Sequence, residues 1–436
     1  MMIDYDKIYA QKAPDEAERN DLKRISGSLR EKIHSLLSKM RVSAEVELVG
    51  STSKGTNLRG GDIDLFIVFP TTYSRSEIVK TGLKIGHMIL PDGQEKYAEH
   101  PYVFGYVEGH KIDVVPCFHM NENDDLKSAV DRSPLHTRWV NAHLDDMKRR
   151  EIILLKAFMK GIGVYGSEVA KGGFSGYVCE ILVIRLGSFL KVLEFFAGSE
   201  KRLRLKEDQP SPMDDAPMLV TDPVDRKRNA AAAVTSENLA RMRILSREFL
   251  HEPSQEYFDG LPRRSPPRMP RKTCFRIFSL ERPDLLEDVI YPQVEKLRRI
   301  IVSESRNEGF HPIDSEVQMG KRINILVELE TDTRPAIKVH TGPPAFSPET
   351  RKFLDKWNNS AHARGPFIMD DRPVVEVAQA SRYNEVLIDA LRNKDIGAHL
   401  NGIKASIKIY SLPATKEQRD LVQKYMTMQK KQTKYQ

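Results

Sequence analysis

Cysteine is scarce. The 436 residues hold three, Cys117, Cys179 and Cys274, far apart and with no C-x-x-C spacing. That excludes a disulfide framework and a structural zinc site, and it fits a reducing, cytoplasmic setting. A signal core is also missing: the opening MMIDYDKIYA is charged, so no secretory leader is expected. Long uninterrupted apolar runs are absent. The most apolar stretch, Phe174 to Ala197, is broken by Glu180, Arg185, Lys191 and Glu194. Four charges rule out a membrane span and leave a buried helix. No internal repeat is visible. Nor is there an acidic excess: 68 basic residues against 61 acidic ones give +7 and a pI near 9.0, a balance that favours a polyanionic partner. With 40% hydrophobic residues the chain can build ordinary cores, and its length allows two to four domains.

What is present falls into segments. Leu22, Ile25, Leu29, Ile33 and Leu36 recur at helical steps. VSAEVELV alternates as a half-buried strand should, LFIVF (65–69) reads as a strand core, and YVFGYVEG and KIDVVP read as extended segments around a Gly109 turn. Together they predict a small mixed α/β domain ending near residue 145. From 151 to 257 the pattern is helical. It is interrupted by KEDQPSPMDDAP and closed by GLPRRSPPRMPRK, whose four prolines and five basic residues suit a solvated linker or an RNA contact. TCFRIFSL, YPQVEKLRRIIVSESRNEG and KRINILVELE then read as strand, helix and strand, with Gly309 placed to end the helix. SPETRKFLDKW has Ser347 as N-cap and Pro348 at the first helical position, strand-like VVEVA and a helix around Leu387 follow, and the last twenty residues read as a polar, lysine-rich end that frays or binds anions.

The chemistry concentrates in VGSTSKGTNLRGGDIDLF (49–66). Asp62 and Asp64 stand at i and i+2, so on a strand they share a face. Two carboxylates in a half-buried place repel unless something neutralises them. A divalent cation such as Mg²⁺ does so with oxygen ligands. Exposed strand ends carry such pairs too, and the neighbours decide the reading. The Gly50-Ser51 turn can aim amides and a hydroxyl at phosphate, Lys54 offers a mobile positive charge, and Asp113 in KIDVVP can supply a third carboxylate from another strand. A three-carboxylate, two-metal site suits in-line displacement at phosphorus.

The order Gly50-Ser51, Asp62-x-Asp64, Asp113 resembles the nucleotidyltransferase superfamily of polymerase-beta-like fold, which joins a nucleoside triphosphate to a hydroxyl. Further segments are more specific: YAEHPYV (97–103), KIDVVPC (111–117), SAVDRSPLH (128–136), GFSGYVCEIL (173–182) and DPVDRKRN (222–229) resemble the archaeal, class I CCA-adding enzymes. The likeness is strong over 45–250 and weaker beyond. It implies an α+β multidomain chain: a nucleotidyltransferase head with a mixed sheet and helices (1–145), a helical neck that recognises the base (146–257), an α/β body (258–340 and 395–436) and a tRNA-binding tail (341–394). It implies addition of the 3′-terminal CCA of tRNA from CTP and ATP, with Mg²⁺, in a homodimer that needs no membrane.

The resemblance also assigns roles. The metal carboxylates map to Asp62, Asp64 and Asp113, and Asp113 is placed to help take the 3′-hydroxyl proton. Ser51 matches the triphosphate-contacting serine. Lys54 falls where relatives often have arginine, and it lacks the planar fork. His100 and His136 match positions near the nucleotide, Ser133 stands where relatives have Thr or Ser, and Lys156 and Tyr165 match residues on the phosphates and sugar. Without the family these are ordinary histidines, a snorkelling lysine and a packed tyrosine. Arg228 is expected to read the base, since a guanidinium can donate to acceptors on both cytosine and adenine. Arg202, Arg204, the Arg263–Lys272 cluster and the terminal lysines are the expected RNA-backbone contacts. The three aspartates alone also fit a poly(A) polymerase or oligoadenylate synthase, and a catalytically dead RNA-binding scaffold would have lost them.

Overall fold

Asp15 caps a helix whose apolar residues fall every three or four positions, and the chain begins its first core there. In the computed structural model, residues 3–97, 101–121, 128, 130–166, 171–200, 203–205, 216–261, 263–264, 272–285, 287–429 and 432–433 are described. His100, Arg202 and most of the 263–272 cluster lie outside them. The chain divides into two units, Met1–Arg263 with Thr433–Gln436, and Arg264–Gln432.

In the first unit, α1 (Tyr5–Lys12) leads into α2 (Glu16–Lys39). Leu22, Ile25, Leu29, Ile33 and Leu37 of α2 are buried. The expected Leu36 is only half-buried, because the stripe advances by four at each later step. A five-stranded sheet follows in the order β1-β2-β5-β4-β3. Its strands are β1 (Glu45–Val49), β2 (Ile63–Phe69), β3 (Gln94–Tyr97), β4 (Pro101–Val107) and β5 (His110–Phe118). A five-residue helix, α3 (Gly50–Lys54), links β1 to β2, and α4 (Arg75–Ile89) begins the crossover that makes β2 and β5 parallel. Strands β4 and β5 form a hairpin whose Glu108 and Gly109 both have positive φ (51° and 83°), as a twisted two-residue turn requires. Ile63, Leu65, Ile67, Val103, Ile112 and Val114 meet α2 and α4 in one core.

The helical part of this unit comprises α5 (Arg132–His143), α6 (Asp146–Gly161), α7 (Gly176–Leu186), α8 (Phe189–Ala197), α9 (Ser236–His251) and α10 (Glu256–Asp259). The single buried helix expected over Phe174–Ala197 is two helices: Gly187 turns at φ +101° and Ser188 caps α8 by accepting from the Lys191 amide. Phe158, Phe174, Phe189, Phe196 and Phe249 fill the core between them. Short strands β6 (Leu203–Arg204), β7 (Met218–Leu219), β8 (Thr221–Asp222) and β9 (Asp225–Asn229) intervene, and β8 and β9 pair antiparallel. A two-residue β10 (Arg263–Arg264) falls at the chain boundary between the units.

The second unit holds a sheet of β12 (Pro312–Met319), β13 (Arg322–Leu329), β11 (Cys274–Glu281) and β17 (Lys408–Tyr410), in that order. One face carries α11 (Glu287–Asn307), α13 (Tyr383–Arg392) and α14 (Ala398–Asn401) over Phe278, Ile323, Ile325 and Val327. The other carries α15 (Lys416–Gln429), whose Leu421 and Tyr425 pack on Ile277 and Leu326. The chain end expected to fray is therefore largely a docked helix, its few apolar residues aligned on one stripe. A separate sheet of β14 (Ile337–Thr341), β16 (Arg372–Ala378) and β15 (Ala363–Met369) stands with α12 (Glu349–Trp357), which Pro348 rather than Ser347 precedes as N-cap. This sheet opens at Ile337, and α13 packs with the α11 core. Val386, Leu387 and Leu391 need a deep core, and the four-stranded sheet supplies one.

Candidate active site

Strand pairing brings the aspartates together. Asp64 on β2 lies directly opposite Asp113 on β5 in the parallel ladder, and opposite Val49 on β1. Asp62 sits just before β2. It joins Asp113 through a residue the sequence reading passed over: Lys111 Nζ donates to Asp62 Oδ2 at 2.9 Å and to Asp113 Oδ2 at 3.1 Å. Its position two residues before Asp113 on a strand was the available signal. Burial, then the charges of Asp113 and Asp62, push the Asp64 carboxyl up to about 7. Burial also raises Asp113, against the opposing pull of Lys111. Asp113 Oδ1 is buried with no hydrogen-bond partner. Among the described residues no three His, Cys, Asp or Glu side chains are gathered tightly enough to ligate one ion as they stand.

Gly50 is fixed by the same carboxylate. It turns the chain from β1 into α3 at φ +78°, and an added Cβ would stand 2.0 Å from Asp64 Oδ2. Thr52 Oγ1 donates to the Asp62 carbonyl at 2.5 Å, tying α3 to the approach to β2. Ser51 is half-buried in the first turn of α3. Gly50→Ala should displace Asp64 and lower kcat by about tenfold or more, the scale of 1–3 kcal/mol of backbone strain. Steady-state kinetics on a variant with unchanged circular dichroism would check this, and an unaltered kcat would refute it.

The expectation of a mobile Lys54 is not met. Lys54 is 6% exposed, and its Nζ donates to Glu180 Oε2 at 2.5 Å. Lys156, fully buried on α6, donates to Glu180 Oε1 at 2.9 Å and to the Thr56 carbonyl at 3.0 Å. Thr56 Oγ1 completes the group at 2.6 Å from Glu180 Oε1. Burial pulls Lys54 below its usual value while Glu180 pulls it back; burial opposes ionisation of Glu180, but both lysines outweigh it. In the sequence Glu180 shows only as a charge interrupting an apolar run. An added Cβ on Gly176 would lie 3.1 Å from the Tyr165 hydroxyl and 3.4 Å from Lys156 Nζ, so both tips lie at the start of α7.

A third group gathers on Asp222, itself fully buried. His136 Nε2 pairs with Asp222 Oδ2 at 3.0 Å, Arg228 Nη1 donates to the same oxygen at 2.8 Å, and Tyr177 donates to Oδ1 at 2.9 Å. The His136 and Tyr177 rings stack with centroids 3.7 Å apart. Burial pulls His136 below its usual value despite Asp222, which leaves a neutral ring whose Nε2–H donates. Burial would raise Asp222, but hydrogen bonds from His136, the Val224 amide and Arg228 bring it down to about 2. Ser133 lies half-buried in the first turn of α5, beside Arg132, which pairs with Asp225 at 3.0 Å. Asp222 and Tyr177 also escaped sequence reading, although an aspartate four residues before a basic run was visible. The three groups share one field: Lys54 acts on Asp64 and His136, and Glu180 acts on Tyr177.

The nucleotidyltransferase domain family matches residues 28–136, the second domain of tRNA nucleotidyltransferase matches 150–259, and the C-terminal domain of the CCA-adding enzyme matches 271–411. The CCA-adding enzyme of Picrophilus torridus is 44% identical across 94% of this chain and 95% of its own. That of Thermoplasma volcanium is 42% identical across 94% and 93%. A solved cytoplasmic RNA terminal U-transferase covers 59% of this chain and 98% of its own at 14% identity, with a TM-score of 0.44. With the three matched segments in order and such identity over almost all of both chains, this protein belongs to the CCA-adding enzymes, the tRNA nucleotidyltransferases.

Proposed function

We propose that this chain builds and repairs the 3′-terminal CCA of tRNA from CTP and ATP at the site around Asp62, Asp64 and Asp113. The 3′-hydroxyl attacks the α-phosphate and pyrophosphate leaves. The observation that carries this reading is the opposition of Asp64 and Asp113, with Asp62 joined to Asp113 through one lysine. Those three carboxylates would hold divalent ions, and their hard oxygen donors favour Mg²⁺. The fit rests on the unpartnered Asp113 Oδ1 and on an ammonium already balancing two of the three charges. When bound, such ions acidify a hydroxyl and neutralise a triphosphate.

The chain's own residues do the rest. Asp113, its carboxyl already raised, is the acceptor offered to the 3′-hydroxyl proton. Ser51 meets the triphosphate, Lys54 and Lys156 supply charge from one buried group, and half-buried Tyr165 supplies a hydroxyl. Ser133 and His136 approach the nucleotide from α5. His100 joins them on family grounds only. Arg228 reads the base, its guanidinium held by Asp222. Head 1–145, neck 146–257, body 258–340 with 395–436, and tail 341–394 are the proposed divisions. Arg204 and the terminal lysines contact tRNA phosphates. A homodimer in the cytoplasm is the proposed setting. Among the described residues no helix is long and apolar enough to cross a membrane.

The test is radiolabelled addition to tRNAs lacking their ends, with and without Mg²⁺. CTP should enter at the first two positions and ATP at the third, with no further growth. A long A tract would identify a poly(A) polymerase instead. Arg228→Ala should bring the use of UTP and GTP to within about tenfold of CTP and ATP, since a lost base contact is worth about 1–3 kcal/mol. Equal use of all four triphosphates by the unmodified protein would overturn the role of Arg228.

A further inference from the structure

Lys111 is two residues before Asp113 on β5, so both side chains leave the same face of the sheet. Its ammonium is the shared partner of Asp62 Oδ2 and Asp113 Oδ2, at 2.9 and 3.1 Å. It also acts on Asp64. The other lysines near these carboxylates are engaged elsewhere: Lys54 pairs with Glu180, and Lys96 lies over the Phe104 ring, 4.6 Å from its centroid. With its side chain 24% exposed, Lys111 has a path to solvent, and its four-carbon stem is flexible.

We propose that Lys111 is a tethered cation that fills the place of a divalent ion between Asp62 and Asp113, so that metal binding displaces it. This rests on the reading that these carboxylates hold divalent ions. The argument is one of shared atoms. A hard ion held by Asp62 and Asp113 would draw on the carboxylates that now accept from Nζ, so the ammonium and the ion would compete for them. The lysine therefore lowers the site's affinity for a bare ion. It also keeps three clustered carboxylates from repelling one another when the site is empty of metal. An ion that arrives with a triphosphate overcomes this competition more readily than a free ion does, because the displaced ammonium then faces phosphate oxygens rather than water alone.

The experiment is Mn²⁺ binding to the full chain without nucleotide, followed by electron paramagnetic resonance. Lys111→Met should bind Mn²⁺ about tenfold tighter or more, the scale of the lysine–carboxylate attraction at about 3–4 Å that an incoming ion must otherwise break. Lys111→Arg, which keeps the charge, should stay near the unmodified protein. A folded Lys111→Met that binds Mn²⁺ equally or more weakly overturns the proposal. A second measurement needs no variant: saturating Mg²⁺ should increase acetylation of Lys111 by acetic anhydride, read by mass spectrometry. Unchanged or reduced labelling overturns the proposal as well. Asp113→Asn separates the two readings. If it leaves Mn²⁺ binding intact, the metal assignment fails, whereas loss of binding there together with tighter binding in Lys111→Met supports both.

Discussion

Asp113→Asn should stop the addition of both C and A while tRNA still binds. The substitution keeps the shape of a buried side chain in the middle of β5 and removes one charge, so the sheet has no steric reason to change. What it removes is an acceptor. Asp113 Oδ1 is buried and unpartnered, which is costly to maintain in a folded chain unless a reacting group or an ion completes it. Asparagine at 113 can neither take a proton nor balance an ion. A fall in single-turnover rate of about a thousandfold or more follows, the scale of losing one charge-stabilising group in a preorganised site. Binding of tRNA should stay within about twofold, because the phosphate backbone dominates that affinity and the contacts proposed for it lie elsewhere. Filter binding and single-turnover addition on one preparation would measure both. A variant that retains rapid addition would remove Asp113 from the chemistry. Equal loss of tRNA binding would recast it as a residue that supports the fold.

How far the sequence reaches is shown by these same residues. The i, i+2 spacing put Asp62 and Asp64 on one face, and KIDVVP offered a further strand with a carboxylate, because side-chain alternation is a local property. That Asp64 stands opposite Asp113 is a matter of parallel register across an intervening helix and hairpin, and no local pattern states it. Lys54 shows the stronger limit. Its place after the Gly50-Ser51 turn suggests a mobile charge, yet its partner Glu180 is 126 residues away, the one buried acid of an apolar run. Strand β12 was missed because only part of it is sheltered, so its polar face masks the alternation. Helices with long stripes, such as α2 and α11, were legible. The break between α7 and α8 was not, although Gly187-Ser188 is a stop followed by a cap.

Glu180→Gln should destabilise the first unit more than any other single change at the site. One carboxylate, 1% exposed, serves two ammonium groups that are themselves 6% and 1% exposed at the side chain. Glutamine keeps the volume and can still accept from Thr56, but it leaves two positive charges facing each other out of water. Breaking a buried pair by removing one partner costs about 3–5 kcal/mol, because an uncompensated buried charge remains. The reporter is at hand: of two tryptophans, Trp139 lies on α5 in this unit and Trp357 on α12 in the other. In a Trp357→Phe background, urea unfolding followed by Trp139 fluorescence reads the first unit alone. Adding Lys54→Met and Lys156→Met to Glu180→Gln should restore most of the lost stability, since no buried charge is then left unpaired. Stability restored without nucleotide addition would divide the group's two contributions, with the carboxylate acting on the fold and the lysines acting on the triphosphate. If Glu180→Gln alone unfolds at the same urea concentration as the parent, the lysines do not depend on Glu180 for their charge balance, and the buried triad is not what joins α3 to α6 and α7.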